Sequence, residues 1–159
     1  MKLLFKQRFF SWFDSYDIFD EAGVPLFTVE GQLAWGHTLH INDIDGNHMA
    51  TVKQRIFSFL PKFDLYEGET LVGTITKDFT FFKPSFDVDC NGWHVEGDFF
   101  EWDYDILDKF GERVASVSKE LWNWTDTYSI DVTDPADALY ALMVVLAIDA
   151  EKDSRQNNH

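Results

Sequence analysis

A single cysteine, Cys90, leaves the chain unable to form an internal disulfide and suits a reducing, cytoplasmic setting. Cations are scarce: 13 Lys and Arg stand against 28 Asp and Glu, a formal net charge of −15. That balance excludes general nucleic-acid binding, which needs cations to displace phosphate counterions. It also disfavours broad attraction to anionic membranes, and its plain consequence is solubility. Met1-Lys2-Leu3-Leu4-Phe5-Lys6 turns charged and aromatic at once, with no small-residue cleavage site, so no secretory signal is expected. A membrane span needs about 20 apolar residues, and the run from Ala138 to Ile148 is stopped short by Asp149. A phosphate-cradling glycine loop and a nucleophile elbow are both missing.

Aromatic residues are abundant. They make up 17% of the 159 residues, within a hydrophobic share of 45%, which excludes disorder and suits one domain with a substantial core. They also recur. Trp12…Tyr16-Asp17-Ile18 sets a frame of an aromatic, a second aromatic four residues on, a polar residue and an aliphatic. The frame returns, with small changes, at Trp35…Leu39-His40-Ile41, Phe59…Phe63-Asp64-Leu65 and Phe82…Phe86-Asp87-Val88. It returns again at Phe100…Tyr104-Asp105-Ile106 and Trp124…Tyr128-Ser129-Ile130, the starts lying 23, 24, 23, 18 and 24 residues apart. Most frames lead through a turn into a second extended run. Asp20 to Gly23, Asp43 to Asn47, Glu67 to Glu69 and Asp108 to Gly111 are the turns, with Gly supplying the positive φ that hairpins demand. Two strands per frame predict about twelve short antiparallel strands.

The last element is a helix predicted over about residues 135–150. Asp134 is a good N-cap, Pro135 suits the first helical position, and Asp137 favours the first turn. The helix is apolar all round, so it must be buried on every side. A sheet packed on one face would leave half of it wet. A barrel of eleven or twelve strands has a lumen wide enough to admit a helix, and closure removes the strand edges. The expected fold is therefore all-β with one helix: a closed antiparallel barrel of about twelve strands enclosing the hydrophobic C-terminal α-helix. It forms one domain over 1–150, with 151–159 a polar, frayed tail.

Candidate sites are sparse. Lys6 and Arg8 share one strand face, as do Lys53 and Arg55. With Lys62, and with Lys77 and Lys83, they form a candidate anion site in an otherwise acidic protein; alternatively, they simply solvate strands and discourage edge pairing. Asp98, Glu101, Asp103, Asp105 and Asp108 are of the type that gathers a hard cation, but they lack a calcium-loop pattern, and no metal or cofactor is expected. His37 and His40, three apart in a strand, point to opposite faces. Cys90 and His94 flank a turn, and no basic neighbour in sequence would activate the thiol. Asp103 and Asp105 share a face, as any alternating strand requires. No catalytic residue is assigned. Among the tryptophans, Trp12, Trp35 and Trp124 are expected to pack in the barrel and Trp102, set among acids, to be exposed.

Several stretches carry a family resemblance. They are Lys6-Gln7-Arg8-Phe9-Phe10-Ser11, Thr51-Val52-Lys53-Gln54-Arg55-Ile56-Phe57-Ser58-Phe59-Leu60-Pro61 and Phe79-Thr80-Phe81-Phe82-Lys83-Pro84. Gly92-Trp93-His94-Val95-Glu96-Gly97-Asp98-Phe99 and the closing Asp126-Thr127-Tyr128 before the apolar helix complete the set. Together they resemble the LURP-one-related family over essentially the whole chain. That family is similar to the C-terminal domain of tubby proteins and to phospholipid scramblases, which implies a twelve-stranded barrel threaded by a C-terminal helix. The resemblance implies a non-enzymatic domain that binds a phospholipid headgroup or other small anionic ligand at a basic rim. The tubby lipid site has no matching motif here, and the helix is too short for a scramblase-like span. The alternative is a protein-interaction or scaffold domain whose acidic surface meets a basic partner.

The buried helix is directly testable. Leu142→Asp sets an unpaired charge inside the barrel, and the expected outcome is a chain that fails to fold. A soluble variant with a cooperative thermal transition at the wild-type temperature would contradict the arrangement.

Overall fold

The structure, a computed structural model, describes residues 1–6, 15–33, 36–80, 83–122 and 125–156. The strands are β1 (Lys2–Lys6), β2 (Ser15–Phe19), β3 (Pro25–Leu33), β4 (His37–Asp43), β5 (His48–Gln54) and β6 (Lys62–Glu67). They continue with β7 (Thr70–Thr80), β8 (Lys83–Val88), β9 (Trp93–Asp98), β10 (Asp103–Leu107), β11 (Arg113–Trp122) and β12 (Thr125–Val132). A 3₁₀ turn, Pro135–Asp137, leads into α1 (Ala138–Gln156). Each strand pairs antiparallel with its sequence neighbours, and β1 closes the barrel on β12 with Lys2 opposite Asp131 and Lys6 opposite Thr127. The closed twelve-stranded barrel expected from the repeating frame is the observed fold.

Alternation along the strands decides what lines the lumen. The trailing pairs of five frames point inward and are buried: Leu39 and Ile41, Phe63 and Leu65, Phe86 and Val88, Tyr104 and Ile106, Tyr128 and Ile130; in the first frame Ile18 is buried and Tyr16 partly buried against the core. The leading residues Trp12, Trp35, Phe82 and Trp124 lie outside the described residues. Phe59, the leading aromatic of its own frame, is fully exposed in the loop between β5 and β6.

Three of the turns share one construction. In each, the Asp side chain accepts from the backbone N–H groups two and four residues on: Asp20 from Ala22 and Val24, Asp43 from Asp45 and Asn47, Asp108 from Phe110 and Glu112. The glycine three residues on donates back to the Asp carbonyl, and at Gly46 it does so with φ +85°, which a side chain would resist. These bonds hold the Asp43 carboxyl below the ordinary aspartate value, the Asn47 N–H and side chain contributing most.

The helix fills the lumen. Ala141 to Ile148 are all buried, a stretch of more than two turns that leaves no face to water. It passes closest to β5 and β12, and Ala50 on β5 is one of the small residues of the wall. Asp134 caps its start by accepting from the Ala136 N–H at 3.0 Å. The helix does not fray at 150, as the polar composition of the tail suggested, but continues to Gln156, and Glu151 is buried. The reason is that its last turns find polar partners on the wall, described below.

At its start the helix is pinned by Tyr140, whose hydroxyl donates to Glu67 Oε2 at 2.7 Å. This bond, with burial and the negative charge of Glu67, pushes the Tyr140 ionisation up to about 12 from 10.0. A raised phenol contributes stability that is complete below its unfolded value and lost as pH rises through the folded one. Ultraviolet titration of tyrosine is therefore expected to show a step near pH 12 that Tyr140→Phe removes. The variant should also lose stability less steeply between about pH 10 and 12.

Candidate functional site

The two ends of the barrel differ in charge. All described lysines and arginines except Lys2, Lys109 and Arg113 lie toward the upper end, where α1 leaves the lumen. The lower end, where α1 starts, carries the hairpin turns with Asp20, Glu21, Asp43, Asp45, Glu67, Glu69, Asp108 and Glu112.

Of the five cations singled out from sequence, the fold brings three onto one hairpin. Lys53 is the last residue but one of β5, Lys62 begins β6, and Arg55 follows β5, its N–H donating to the Lys62 carbonyl at 2.9 Å. Arg55 is partly engaged: its Nε donates to Asp64 Oδ1 at 2.9 Å and its Nη2 to Thr74 Oγ1 at 3.4 Å. Lys6 is exposed at the same end but on β1, with β2, β3 and β4 between it and β5. Arg8 lies outside the described residues. Lys83 is exposed at the same end on β8, whereas Lys77 is not available to an external ligand at all. Lys77 shares the phase of Ile75 and points into the lumen, so the sequence grouping of Lys77 with the rim cations is corrected.

A groove of about 730 Å³ runs down the outer wall beside Lys53, lined also by Gln32, Thr38, His40, His48, Thr51 and Tyr66, with the carboxylate of Glu69 at its lower end, away from Lys53. His40 Nδ1 and His48 Nε2 meet the Thr51 hydroxyl at 3.1 and 2.7 Å. A cation beside imidazoles, hydroxyls and an amide is a donor set suited to an oxyanion. A second groove, about 820 Å³, lies on β8 to β10 and is walled by Glu96, Asp98, Asp103 and Asp105, which suits no anion.

The remaining candidates separate. The acidic run is divided between the ends: Asp98 accepts from the Glu101 N–H in the upper turn, while Asp108 organises a lower one. Among the described residues, no three His, Cys, Asp or Glu side chains gather as a metal-ligand set. His37 points inward and His40 outward, as their spacing required. Cys90 is exposed in the turn after β8, and burial together with Asp89 raises its thiol ionisation, the reverse of nucleophile activation. His94 is held by Asp87 at 2.7 Å instead. Trp102 departs from expectation: only 9% exposed, it stacks on Tyr128 at 4.0 Å beneath the Lys152 ammonium at 4.4 Å. The β9–β10 turn folds it back over the mouth of the lumen, a placement that its acidic neighbours in sequence conceal.

Sequence reading missed the polar plug where α1 leaves. Lys77 Nζ donates to Glu151 Oε1 at 3.0 Å with both side chains buried, and Arg155 Nε reaches the same oxygen at 2.9 Å. His37 Nε2 meets Asp153 at 3.2 Å, and Gln54 donates to Ser154 Oγ at 3.2 Å. Burial pulls the Lys77 ionisation down, partly opposed by Glu151. The available signal was the phase of Lys77, two residues beyond Ile75.

Three comparisons extend these observations. A model of the family described as LURP-one-related matches residues 1–149. The uncharacterized protein YxjI of Bacillus subtilis strain 168 is 30% identical over 151 residues, spanning 94% of this chain and 92% of that protein. An Arabidopsis thaliana protein of known crystal structure is similar with a TM-score of 0.61 at 14% identity, covering 93% of this chain and 90% of that one. At that identity the likeness is one of fold.

The plug yields a stability prediction. Glu151→Leu leaves Lys77 buried without its counter-ion and is expected to cost about 3–5 kcal/mol. The double variant Lys77→Met/Glu151→Leu, which removes both charges, is expected to recover most of that loss. Urea unfolding of the four members of the cycle measures both.

Proposed function

The chain belongs to the LURP-one-related family, and from that premise we propose that it is a non-enzymatic, cytoplasmic binding domain. Its ligand is a phospholipid headgroup or another small phosphate-bearing anion, held at the upper rim. The observation that carries this reading is the placement of Lys53, Arg55 and Lys62 on one hairpin, above a groove whose upper part is lined by imidazole, hydroxyl and amide groups, in a protein of net charge −15. Carboxylates lie at both ends, but nearly all the described cations lie at this one, so the rim is the less negative end and the one an anion approaches more readily. Arg55, already engaged by Asp64, contributes positioning, and Lys53 and Lys62 carry the ligand charge.

The lower end favours a second reading. Its turn carboxylates form an acidic surface for a basic protein partner, whose capture would weaken as salt is raised.

Titration with soluble inositol phosphates, and sedimentation with vesicles of phosphatidylcholine with or without phosphoinositide, separate the two readings. Binding is expected to be strongest at low salt and to fall about fivefold for each of Lys53→Ala and Lys62→Ala, with Arg55→Ala doing less. Failure of every anionic probe at low salt would remove the rim reading and leave the acidic end as the place to seek a partner.

A further inference from the structure

We propose that the loop joining β5 to β6 is a membrane-insertion element, and that the anionic ligand is presented by a bilayer surface. The inference rests on the rim reading above and adds what that reading does not require: an apolar anchor.

The observation is the state of residues 56–61. Phe57 is 96% and Phe59 102% exposed, and Ile56 is 51% exposed beside them. Isolated exposed apolar residues are ordinary, but three within four residues form a patch that calls for an occupant. The loop holding them is well tied. The Arg55 N–H donates to the Lys62 carbonyl at its base, the Lys77 N–H to the Pro61 carbonyl from the neighbouring strand, and Ser58 Oγ to the Leu60 carbonyl at 2.6 Å. The two phenylalanines are thus displayed on a preorganised loop, so little ordering remains to be done on binding.

Shape and charge together select the occupant. Side chains whose whole surface is bare project outward, and a fluid acyl layer adapts to projecting groups without a matching pocket. Lys53 and Lys62 at the loop base stand where lipid phosphates would lie when the rings enter the interface. The lower end also exposes apolar side chains, such as Ile44 and Phe110, but one per turn and among carboxylates. An anionic surface repels that end. Among the described residues no helix is long and apolar enough to cross a membrane, and the proposed contact is peripheral.

The test uses the full chain and vesicles of phosphatidylcholine containing phosphatidylserine or phosphoinositide. Phe57→Ser and Phe59→Ser are each expected to weaken vesicle binding by on the order of tenfold. Titration with soluble inositol phosphate and the thermal transition should stay unchanged. In a Cys90→Ser background, an environment-sensitive fluorophore on Phe57→Cys should shift to the blue on adding anionic vesicles, and one on Ile44→Cys should not. Wild-type vesicle affinity in Phe57→Ser/Phe59→Ser would overturn insertion while leaving the rim reading intact. Absence of vesicle binding by the wild-type chain would overturn it too, whether or not soluble phosphate binds. A blue shift that follows protein concentration without lipid would overturn it in favour of self-association.

Discussion

Everything in this fold depends on hiding one helix from water on all sides. A helix that is apolar around its whole circumference has no stable place on a surface, and a two-layer packing covers only one of its faces. Twelve strands curled into a closed wall give a lumen of suitable width, and closing the wall also removes the edges that so many short strands would expose. The dependence runs both ways: without the helix, the inward rows from Leu39, Ile41, Phe63, Leu65, Tyr104 and Ile106 would surround an empty tube.

The same constraint explains the polar groups near the upper mouth. A charge in the lumen is tolerated only if partnered, and the partners are drawn from opposite components, wall and helix. Lys77, His37 and Gln54 come from three different strands and meet Glu151, Asp153 and Ser154 on the last turns of the helix. Such contacts contribute less to net stability than an apolar filling would, but they fix how far the helix advances. Tyr140 and Glu67 set the other limit. The plug closes the mouth of the lumen and leaves the rim loops outside it, the position in which loops on a packed scaffold most often carry recognition.

The functional reading follows from the sorting of charge rather than from any catalytic arrangement. A chain with a large excess of acid that nevertheless gathers its cations at one end has a direction, and the hairpin between β5 and β6 puts both charge and exposed aromatic surface at that end. Fold likeness alone would not carry this conclusion, since one barrel architecture serves unrelated purposes. The proposal rests instead on the residues of the hairpin.

How much was legible differs by kind of information. The repeating frame marked which residues face inward, because a strand's period of two ties face to spacing. The Asp-to-Gly turns and the capped apolar helix were readable because each depends on local bonds among neighbours. Face is not height or neighbourhood, however. That Lys53 and Lys62 share one hairpin while Lys6 has three strands between it and them depends on the closed strand order. That Trp102 folds over the lumen mouth depends on the path of a turn, which its two acidic neighbours Glu101 and Asp103 do not reveal. Phe59 and Phe100, leading aromatics of two frames, stand exposed because their loops extend past the end of the wall. The helix outran its apolar run because wall residues distant in sequence supplied its polar partners. Sequence by itself determined periodicity, turns, capping and the need for enclosure, all short-range or compositional. Tertiary structure alone decided which charges meet and which aromatic rings are left to solvent, because those depend on closure between strands far apart in the chain.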